Sequence, residues 1–500
     1  MLLVHESGAL TKPPLLARDV QLYHLAEYLT EFLIYFMLVF SPWAFGTTEP
    51  WSIWVMNVCG YGLGLLLLIK MTVRWTKGYR PARWAEHAQA GHLLQALRPY
   101  LLTRALAVLT LGILSYCLVA AVNARATFNP LSLTFDYHDC VTWLPRSFDS
   151  HGTWEAFWRY VAAACWFWAL RDWLLGKSAA EQAAQSVTPA LPIRLERVLW
   201  VLAINGGFLG LEGIIQRLSD SPKLLFLVKP EIHQSAQTQF ASYAYRANGA
   251  QYFNLLWPVC LAFWWRTQRS KSLKPIAKRL LLAGTVIMAS CPIISSARGA
   301  ALVDLSMMLA AALLLLVPLF FFKDRYPGKN KARSAGWVVL FLAGTLAAGL
   351  GLGWKQLRPR MDDFTTGLKE REQLYDRARV IAGDYPVFGT GPGSFERVFQ
   401  LYRGSPATYW PAQLHNDWLE TRVTFGWLGS GLIAIALFTV LLRGFVSGGI
   451  RAGNHIIILT WLSLTGCLVQ ARWDFPMQVY SILLLFLVGC AVLFTVCRTP

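Results

Sequence analysis

The sequence is short of charge. Of its 500 residues only 15% are Asp, Glu, Lys or Arg, whereas 55% are hydrophobic and 14% are aromatic. Soluble globular domains carry roughly 25% charged residues, so this composition excludes an ordinary soluble fold. What the chain has instead is a series of long apolar runs, which is typical of an integral membrane protein.

The sequence also lacks the cysteine spacings that organise disulfide-rich or zinc-binding domains. Its nine cysteines form no Cys-x-x-Cys pair, and most of them lie inside apolar runs. Only Cys140 falls on a predicted external loop. We therefore expect neither a disulfide framework nor a structural zinc site.

Basic residues outnumber acidic ones, with 46 Lys and Arg against 28 Asp and Glu and a net charge of +18. Such a balance can indicate nucleic-acid binding. Here, however, the basic residues cluster in short segments between the apolar runs, which is the distribution that fixes orientation in a bilayer. The pattern predicts the lipid bilayer as a partner and argues against nucleic acid.

Runs of about 20 apolar residues are long enough to cross the hydrocarbon core of a membrane as helices. The chain contains twelve of them. It is therefore predicted to be an all-α integral membrane protein with about twelve transmembrane helices and a long, partly helical external loop. The predicted spans are 25–46, 51–70, 101–122, 155–175, 196–216, 248–265, 279–296, 300–322, 335–353, 425–443, 454–470 and 477–497.

Orientation follows from three basic segments between spans, 70–104, 266–279 and 323–333, which hold few or no acidic residues. The positive-inside rule places these segments, and with them both termini, in the cytoplasm. Three of the remaining segments, 123–154, 217–247 and 354–424, are then external.

The longest external segment, 354–424, ends with a histidine and an amide side by side. His415 and Asn416 stand directly before the chain re-enters the membrane. Because histidine ionises near neutral pH, His415 can serve as a general base toward a hydroxyl group. The alternative is a solvated loop in which the histidine has no chemical role.

Two arginines lie on the same external side. Arg246 stands where the sixth span begins, and Arg298 stands in the turn between the seventh and eighth spans. An arginine at membrane depth is costly and usually has a partner, which near the outer face is a lipid phosphate. Each arginine can therefore belong to a site or make only a headgroup contact. Asp474, in the turn before the last span, can pair with an arginine across the bundle.

The external loop also contains a predicted helix, 367–382, and after it a glycine-rich turn. Gly391 and Gly393 lie at the centre of this turn, which precedes a second, short helix. Such a turn can hold phosphate with its backbone N–H groups. It can also be a packing turn, and its spacing is not that of a dinucleotide fingerprint.

Taken in order, these motifs resemble the O-antigen ligase and polymerase superfamily of bacterial envelope glycosyltransferases. The resemblance covers roughly residues 195–497. It is carried by His415-Asn416 with the following Gly426-Trp427-Leu428-Gly429, by Gly389-Thr390-Gly391-Pro392-Gly393-Ser394-Phe395, by Ser296-Ala297-Arg298-Gly299, by Asp474-Phe475-Pro476 and by Arg246.

The resemblance implies a multi-span, lipid-sugar (GT-C-type) glycosyltransferase in the bacterial inner membrane. Such an enzyme moves a glycan from undecaprenyl diphosphate to a glycan acceptor on the periplasmic face, without a metal or other cofactor. The implied catalytic residues are His415, Arg246 and Arg298, and the implied substrate-binding residues are Asn416, Gly391, Gly393 and Asp474.

The implied domains are a cytoplasmic N-terminal tail, an N-terminal transmembrane bundle, central spans that carry the arginines, a periplasmic catalytic loop and the C-terminal spans. Their boundaries are 1–24, 25–194, 195–353, 354–424 and 425–500.

Several acceptors remain open. Transfer to lipid A core defines a ligase, which we expect here, whereas transfer to another carrier-linked glycan defines a polymerase and transfer to a protein side chain a glycoprotein-forming enzyme. A transporter of lipid-linked glycans is a more distant alternative. It would not need the external histidine, and the sequence shows no internal repeat of the kind that carriers use.

Overall fold

The computed structural model describes residues 13–84, 93–183, 191–268, 273–321, 328–362, 364–404, 410–446 and 454–496. Fifteen α-helices and one β-hairpin lie in these ranges. Residues 1–12 of the predicted N-terminal tail lie outside the described residues. The first helix begins within the rest of that tail, at Ala17.

The N-terminal half contains six helices and the hairpin. In chain order the elements are α1 (Ala17–Trp43), α2 (Pro50–Thr76), α3 (Leu93–Val122), β1 (Ala126–Asn129), β2 (Thr134–Tyr137), α4 (Ser150–Leu174), α5 (Ala179–Ala183) and α6 (Ile193–Leu218). The hairpin departs from the predicted all-α fold. It forms where Thr, Phe and Tyr, which favour strands, are concentrated, and it pairs Phe128 with Phe135, whose ring centroids lie 5.3 Å apart.

The C-terminal half contains nine helices among the described residues. They are α7 (Arg246–Thr267), α8 (Pro275–Ile294), α9 (Arg298–Phe321), α10 (Gly328–Asp362), α11 (Phe364–Asp384), α12 (Phe395–Phe399), α13 (Asp417–Val446), α14 (His455–Gln470) and α15 (Tyr480–Val496). Helix α11 covers the helix predicted at 367–382 in the external loop, so that prediction is confirmed.

Each of the twelve predicted spans falls largely on one helix. Eight of the described helices are long and apolar enough to cross a membrane, namely α1, α2, α3, α6, α8, α9, α10 and α13. Helices α14 and α15 are apolar but shorter. The chain is thus a helical, multi-pass membrane protein, and the number of twelve spans stays a prediction.

Helix α7 lies at the centre of the C-terminal helices. Every residue from 247 to 267 except Arg266 is buried, and the helix packs mainly against α8 and α14. A helix surrounded in this way is expected to be apolar on all faces. Gln251 and Asn254 depart from that expectation.

Helix α10 is longer than the span predicted for it. The sequence predicts a span over 335–353, but the helix continues to Asp362. The added turns bury Leu357, which packs against Ile293 and Ala301. Because the extension buries an apolar side chain, the chain stays helical where the composition becomes polar.

The segments predicted to be external pack against one another. The N–H of Phe148 donates to the carbonyl of Thr390 at 2.9 Å, and the rings of Tyr245 and His415 lie 5.9 Å apart. These two contacts join three stretches that are far apart in the chain. The stretches are 123–154, 217–247 and 354–424.

A second, small core holds the segment before α13 in place. It is formed by one face of α11, by α12 and by the residues around the start of α13. Its buried members are Tyr375, Ala378, Ile381, Ala382, Phe395, Val398, Phe399, Leu414 and Val423. Because Leu414 is fully buried in this core, the residue that follows it, His415, has a fixed position.

A buried group of charges joins α1, α2 and α4. Asp172 accepts two hydrogen bonds from Arg74, at 2.7 and 2.8 Å, and also pairs with Arg83. The ammonium of Lys70 is fully buried, 3.2 Å from Asp172 and 3.4 Å from Glu27. Lys70, which the charge pattern assigns to a cytoplasmic segment, is therefore part of the packed interior.

Candidate functional site

His415 lies in a turn that is held by the start of α13. Its backbone is left-handed, with a φ of 57°, which is uncommon for a residue with a Cβ. Asn416 caps the helix, because its side-chain oxygen accepts the N–H of Leu419 at 3.1 Å. The carboxylate of Glu420 reaches back to the N–H of Leu414 at 2.8 Å. Bonds on both sides of His415 thus maintain its conformation.

The ring of His415 pairs with a carboxylate from the turn before α15. Its Nδ1 lies 3.3 Å from Oδ1 of Asp474, and its backbone carbonyl accepts a hydrogen bond from the Tyr375 hydroxyl at 2.8 Å. A carboxylate at Nδ1 favours the tautomer with the proton on that nitrogen. The Nε2 atom then has a lone pair and can accept a proton from a substrate.

Asp417 fixes the turn that carries Asp474. Its N–H donates to the carbonyls of Ala471 at 2.9 Å and Asp474 at 3.2 Å. Its carboxylate accepts the N–H of Met477 at 2.8 Å. Neither Asp417 nor Glu420 is among the functional residues predicted from the sequence. Their position in the first turn of a helix with an asparagine cap is the signal that could have indicated a positioning role.

Aromatic rings surround His415. The ring of Phe475 meets it edge to face at 4.8 Å, and Tyr245 stacks on Phe475 at 5.6 Å. On its other side Tyr245 stacks with a second histidine, His233, at 5.2 Å. Burial, and to a lesser degree the charge of His415, lower the pKa of His233 below its usual value. His233 is not among the residues predicted from the sequence.

A cavity of about 480 Å³ lies beside this histidine, a volume in the range of ligand-binding pockets. Its polar end is formed by Tyr245, Arg246, Arg298, Arg371 and Asp474. The remaining wall is mostly apolar and runs between α9 and α14. It includes Leu302, Val303, Met307, Leu462, Gly466 and Val469. His415 does not line the cavity itself but contacts two residues that do, Asp474 and Tyr245.

The two arginines predicted from the sequence to be functional both line this cavity. Each is the first residue of its helix, Arg246 of α7 and Arg298 of α9. Arg246 donates from Nη1 to the carbonyl of Gln237 at 2.7 Å, and Arg298 donates from Nη1 to the carbonyl of Arg360 at 2.9 Å. These bonds orient both guanidinium groups at the polar end of the cavity.

A third arginine, Arg371, reaches the same end of the cavity from α11. Its guanidinium donates to the carbonyl of Trp473, the residue before Asp474. No local pattern distinguishes Arg371, because it lies in a run of charged residues on an amphipathic helix, where most side chains face water. Only the packing of α11 reveals which of them points inward.

The glycine-rich turn lies elsewhere, and neither of its central glycines lines the cavity. The N–H of Gly391 donates to the carbonyl of Thr424 at 2.9 Å, so it is not available to a phosphate. With a φ of 106°, Gly391 also approaches Ser147 so closely that a Cβ would stand 2.4 Å from the Ser147 hydroxyl. Gly393, with a φ of 78°, makes a similar approach to Gly152. This geometry supports the packing alternative, and substrate contact by Gly391 and Gly393 stays a prediction.

Asn416 is also removed from the cavity wall. Its side chain is 2% exposed and serves as the cap of α13. In this geometry the amide supports the turn of His415, and contact with a sugar stays a prediction.

The fold and the site define a class of protein: a multi-pass helical membrane protein with an arginine-lined, otherwise apolar cavity next to a histidine–aspartate pair. Residues 283–436 match the family model described as O-antigen ligase, and this match confirms the resemblance to the O-antigen ligase and polymerase superfamily that the motifs carry. Among curated proteins, none matches the chain.

The matched segment runs from within α8 to within α13 and includes Arg298, Arg371 and His415. Arg246 and Asp474 lie outside it. Members of this superfamily are glycosyltransferases that act on lipid-linked glycans in a membrane. The structure brings residues from inside and outside the matched segment to one cavity.

Proposed function

We propose that this protein is an O-antigen ligase that transfers a glycan from undecaprenyl diphosphate to a sugar hydroxyl of lipid A core. The observation that carries the proposal is the cavity between α9 and α14. It has three arginines at one end, an apolar wall along its length and a histidine–aspartate pair at its edge. Each of these features matches one part of the reaction.

The apolar wall suits the polyprenyl chain of the donor. It is made of side chains on α9 and α14, two helices that contact each other. A lipid that enters between them exchanges the bilayer interior for an equally apolar surface. Its diphosphate then stands at the level where α9 begins, next to Arg298.

The charges at the polar end suit a diphosphate. Arg246, Arg298 and Arg371 supply three positive charges and Asp474 one negative charge, which leaves two positive charges on the cavity wall. A glycosyl diphosphate diester carries two negative charges and gains another when the sugar leaves. Forked guanidinium groups stabilise such a developing charge without a metal.

The proposed reaction is a direct displacement at the anomeric carbon of the donor. The acceptor oxygen forms the new bond while its proton passes to Nε2 of His415, and the bond from the anomeric carbon to the phosphate oxygen breaks. Asp474 stabilises the imidazolium that forms. A single displacement of this kind inverts the configuration at the anomeric carbon.

The proposed setting is the bacterial inner membrane, with both termini in the cytoplasm and residues 354–424 as the periplasmic catalytic loop. The distribution of basic residues supports this orientation. Contacts between the predicted external segments support a single external face.

The test is a transfer assay with the purified full-length chain, an undecaprenyl-diphosphate oligosaccharide and two acceptors in parallel, lipid A core and a second carrier-linked oligosaccharide. We expect a product on lipid A core, detected as a mass increase of one donor glycan. A product only on the carrier-linked acceptor would instead identify a polymerase, and no product with either acceptor would contradict a glycosyltransferase of this type.

The same assay tests whether transfer requires a metal ion. If arginines neutralise the diphosphate, transfer should continue in EDTA at the untreated rate. A loss of activity that magnesium or manganese restores would show that a metal shares this role.

A further inference from the structure

Helix α9 carries a carboxylate that the proposed transfer does not use. Asp304 is fully buried, and neither of its carboxylate oxygens forms a hydrogen bond with any described residue. The indole N–H of Trp257 faces it but does not reach acceptable hydrogen-bond geometry. An isolated carboxylate removed from water is very costly, so it requires either a cation or a proton.

No described side chain supplies the cation. The helices that pack on α9 are α7, α8, α10 and α14. Among their described residues, a titratable group that interacts electrostatically with Asp304 is the thiol of Cys291 on α8. This thiol is buried and carries no positive charge. No lysine, arginine or histidine of the described chain forms an ion pair with Asp304. A proton is therefore the simplest way to neutralise this carboxylate.

A row of buried amides leads from the cavity toward Asp304. Gln470 lines the cavity, and its side-chain oxygen accepts a hydrogen bond from Nδ2 of Asn254 at 3.4 Å. The same Nδ2 donates to the carbonyl of Ala300 at 2.9 Å. Ala300 precedes Asp304 by four residues, so Asn254 stands about one helical turn, or about 6 Å along the axis, from the level of the carboxylate.

Several atoms of this row have no hydrogen-bond partner among the described residues. They are Oδ1 of Asn254 and both polar atoms of Gln251, near which the thiol of Cys467 lies. Gln251, Asn254 and Trp257 follow one another at intervals of three residues and so share one face of α7. Buried polar atoms without a protein partner are the places where internal water binds.

We propose that Asp304 is a proton-binding site inside the helix bundle, and that it exchanges its proton with the cavity through water held by Gln470, Asn254 and Gln251. Binding converts the carboxylate to the carboxylic acid, with no other change of bonds. Asp304 follows Arg298 by six residues, or about 9 Å along the helix. With the proton bound, the arginine end keeps its positive charge, and loss of the proton weakens the binding of an anion there.

Infrared spectroscopy of the purified protein in nanodiscs tests this site without any substrate, so its outcome is independent of the proposed transfer reaction. The difference spectrum of wild type minus Asp304→Asn should contain the C=O band of one carboxylic acid at neutral pH. Transfer to heavy water should shift this band while the backbone amides of α7 remain unexchanged. Asp304→Glu, which keeps the acid, should displace the band and identifies it if the Asn variant does not fold.

Gln470→Leu interrupts the row at the cavity wall and should abolish the rapid shift in heavy water. Gln216→Leu is the matched control, because Gln216 is an equally buried glutamine on α6 that bonds to the carbonyl of Lys223. It should exchange like wild type. Three outcomes would each overturn the proposal. The first is a carboxylate band for Asp304 at neutral pH, and the second is a carboxylic acid band that appears only after sodium is removed. The third is equally rapid exchange in Gln470→Leu and wild type.

Discussion

Exchanging Arg246 and Arg298 for lysine separates the binding of a diphosphate from a simple headgroup contact. Both arginines line the cavity, and each already uses one N–H group on a backbone carbonyl, of Gln237 and Arg360 respectively. The planar guanidinium can make that bond and still present a fork of donors to a phosphate. A lysine ammonium is a point charge on a flexible stem and cannot do both.

The expected effect follows from the number of donors lost. A headgroup contact requires only positive charge, so lysine should be tolerated there. Loss of one preorganised donor to a developing negative charge lowers turnover by a factor on the order of 10², which corresponds to about 2.7 kcal/mol of transition-state stabilisation. We expect that loss for each of Arg246→Lys and Arg298→Lys, mainly in kcat, because the charge on the donor grows as the sugar leaves.

Arg266→Lys is the control on the same helix as Arg246. Arg266 is exposed near the far end of α7, twenty residues and therefore about 30 Å from Arg246. It should turn over like wild type. The assay is transfer from a labelled undecaprenyl-diphosphate glycan, with kcat and KM for the donor measured separately. If both cavity variants have wild-type kinetics, the two arginines orient the helices and do not bind the diphosphate.

Three further expectations can be tested independently. His415→Ala should lower transfer by about 10²–10⁴-fold with an unchanged helical circular dichroism spectrum, whereas near-normal transfer would contradict its role as the base. A reporter fused after Gly383 should be active on the periplasmic side, because the basic segments set the orientation, and a cytoplasmic signal would contradict the topology. Asp172→Ala should lower the free energy of unfolding by about 3–5 kcal/mol, because it leaves buried cations without their carboxylate. The measurement is thermal unfolding in detergent. The control is Asp376→Ala, which removes an exposed ion pair on α11 and should unfold like wild type.

The helices could be predicted from the sequence because each is encoded locally. An apolar run of sufficient length has one stable form in a bilayer, since every backbone group must be bonded within the segment. The amphipathic pattern of α11 also predicted a helix, and the observed helix, Phe364–Asp384, contains the predicted range. The end of α10 could not be predicted, because it depends on Leu357 finding a site against Ile293.

Some side chains of the site can likewise be predicted from the local sequence, whereas the role of others depends on distant contacts. Arg246 and Arg298 are visible in the sequence because charge at the edge of an apolar run is conspicuous, and His415 because it closes a polar segment. The role of Gly391 depends on its neighbour, Ser147, which lies more than 200 residues away in the chain and can only be identified in the folded structure.

The pairing of His415 with Asp474 shows why the rest of the site cannot be predicted from the sequence. The two residues are 59 positions apart, and nothing local to either one sets their distance. Asp417 holds the Asp474 turn from α13, through its N–H and its carboxylate. Arg371 holds the same turn from α11, through the carbonyl of Trp473. The sequence does not indicate which distant backbone groups such a residue binds, although the alignment of the base depends on these bonds. The geometry of the proposed reaction is therefore determined where α11 and α13 meet the turn before α15. A substitution of Asp417 should affect transfer even though its side chain does not line the cavity.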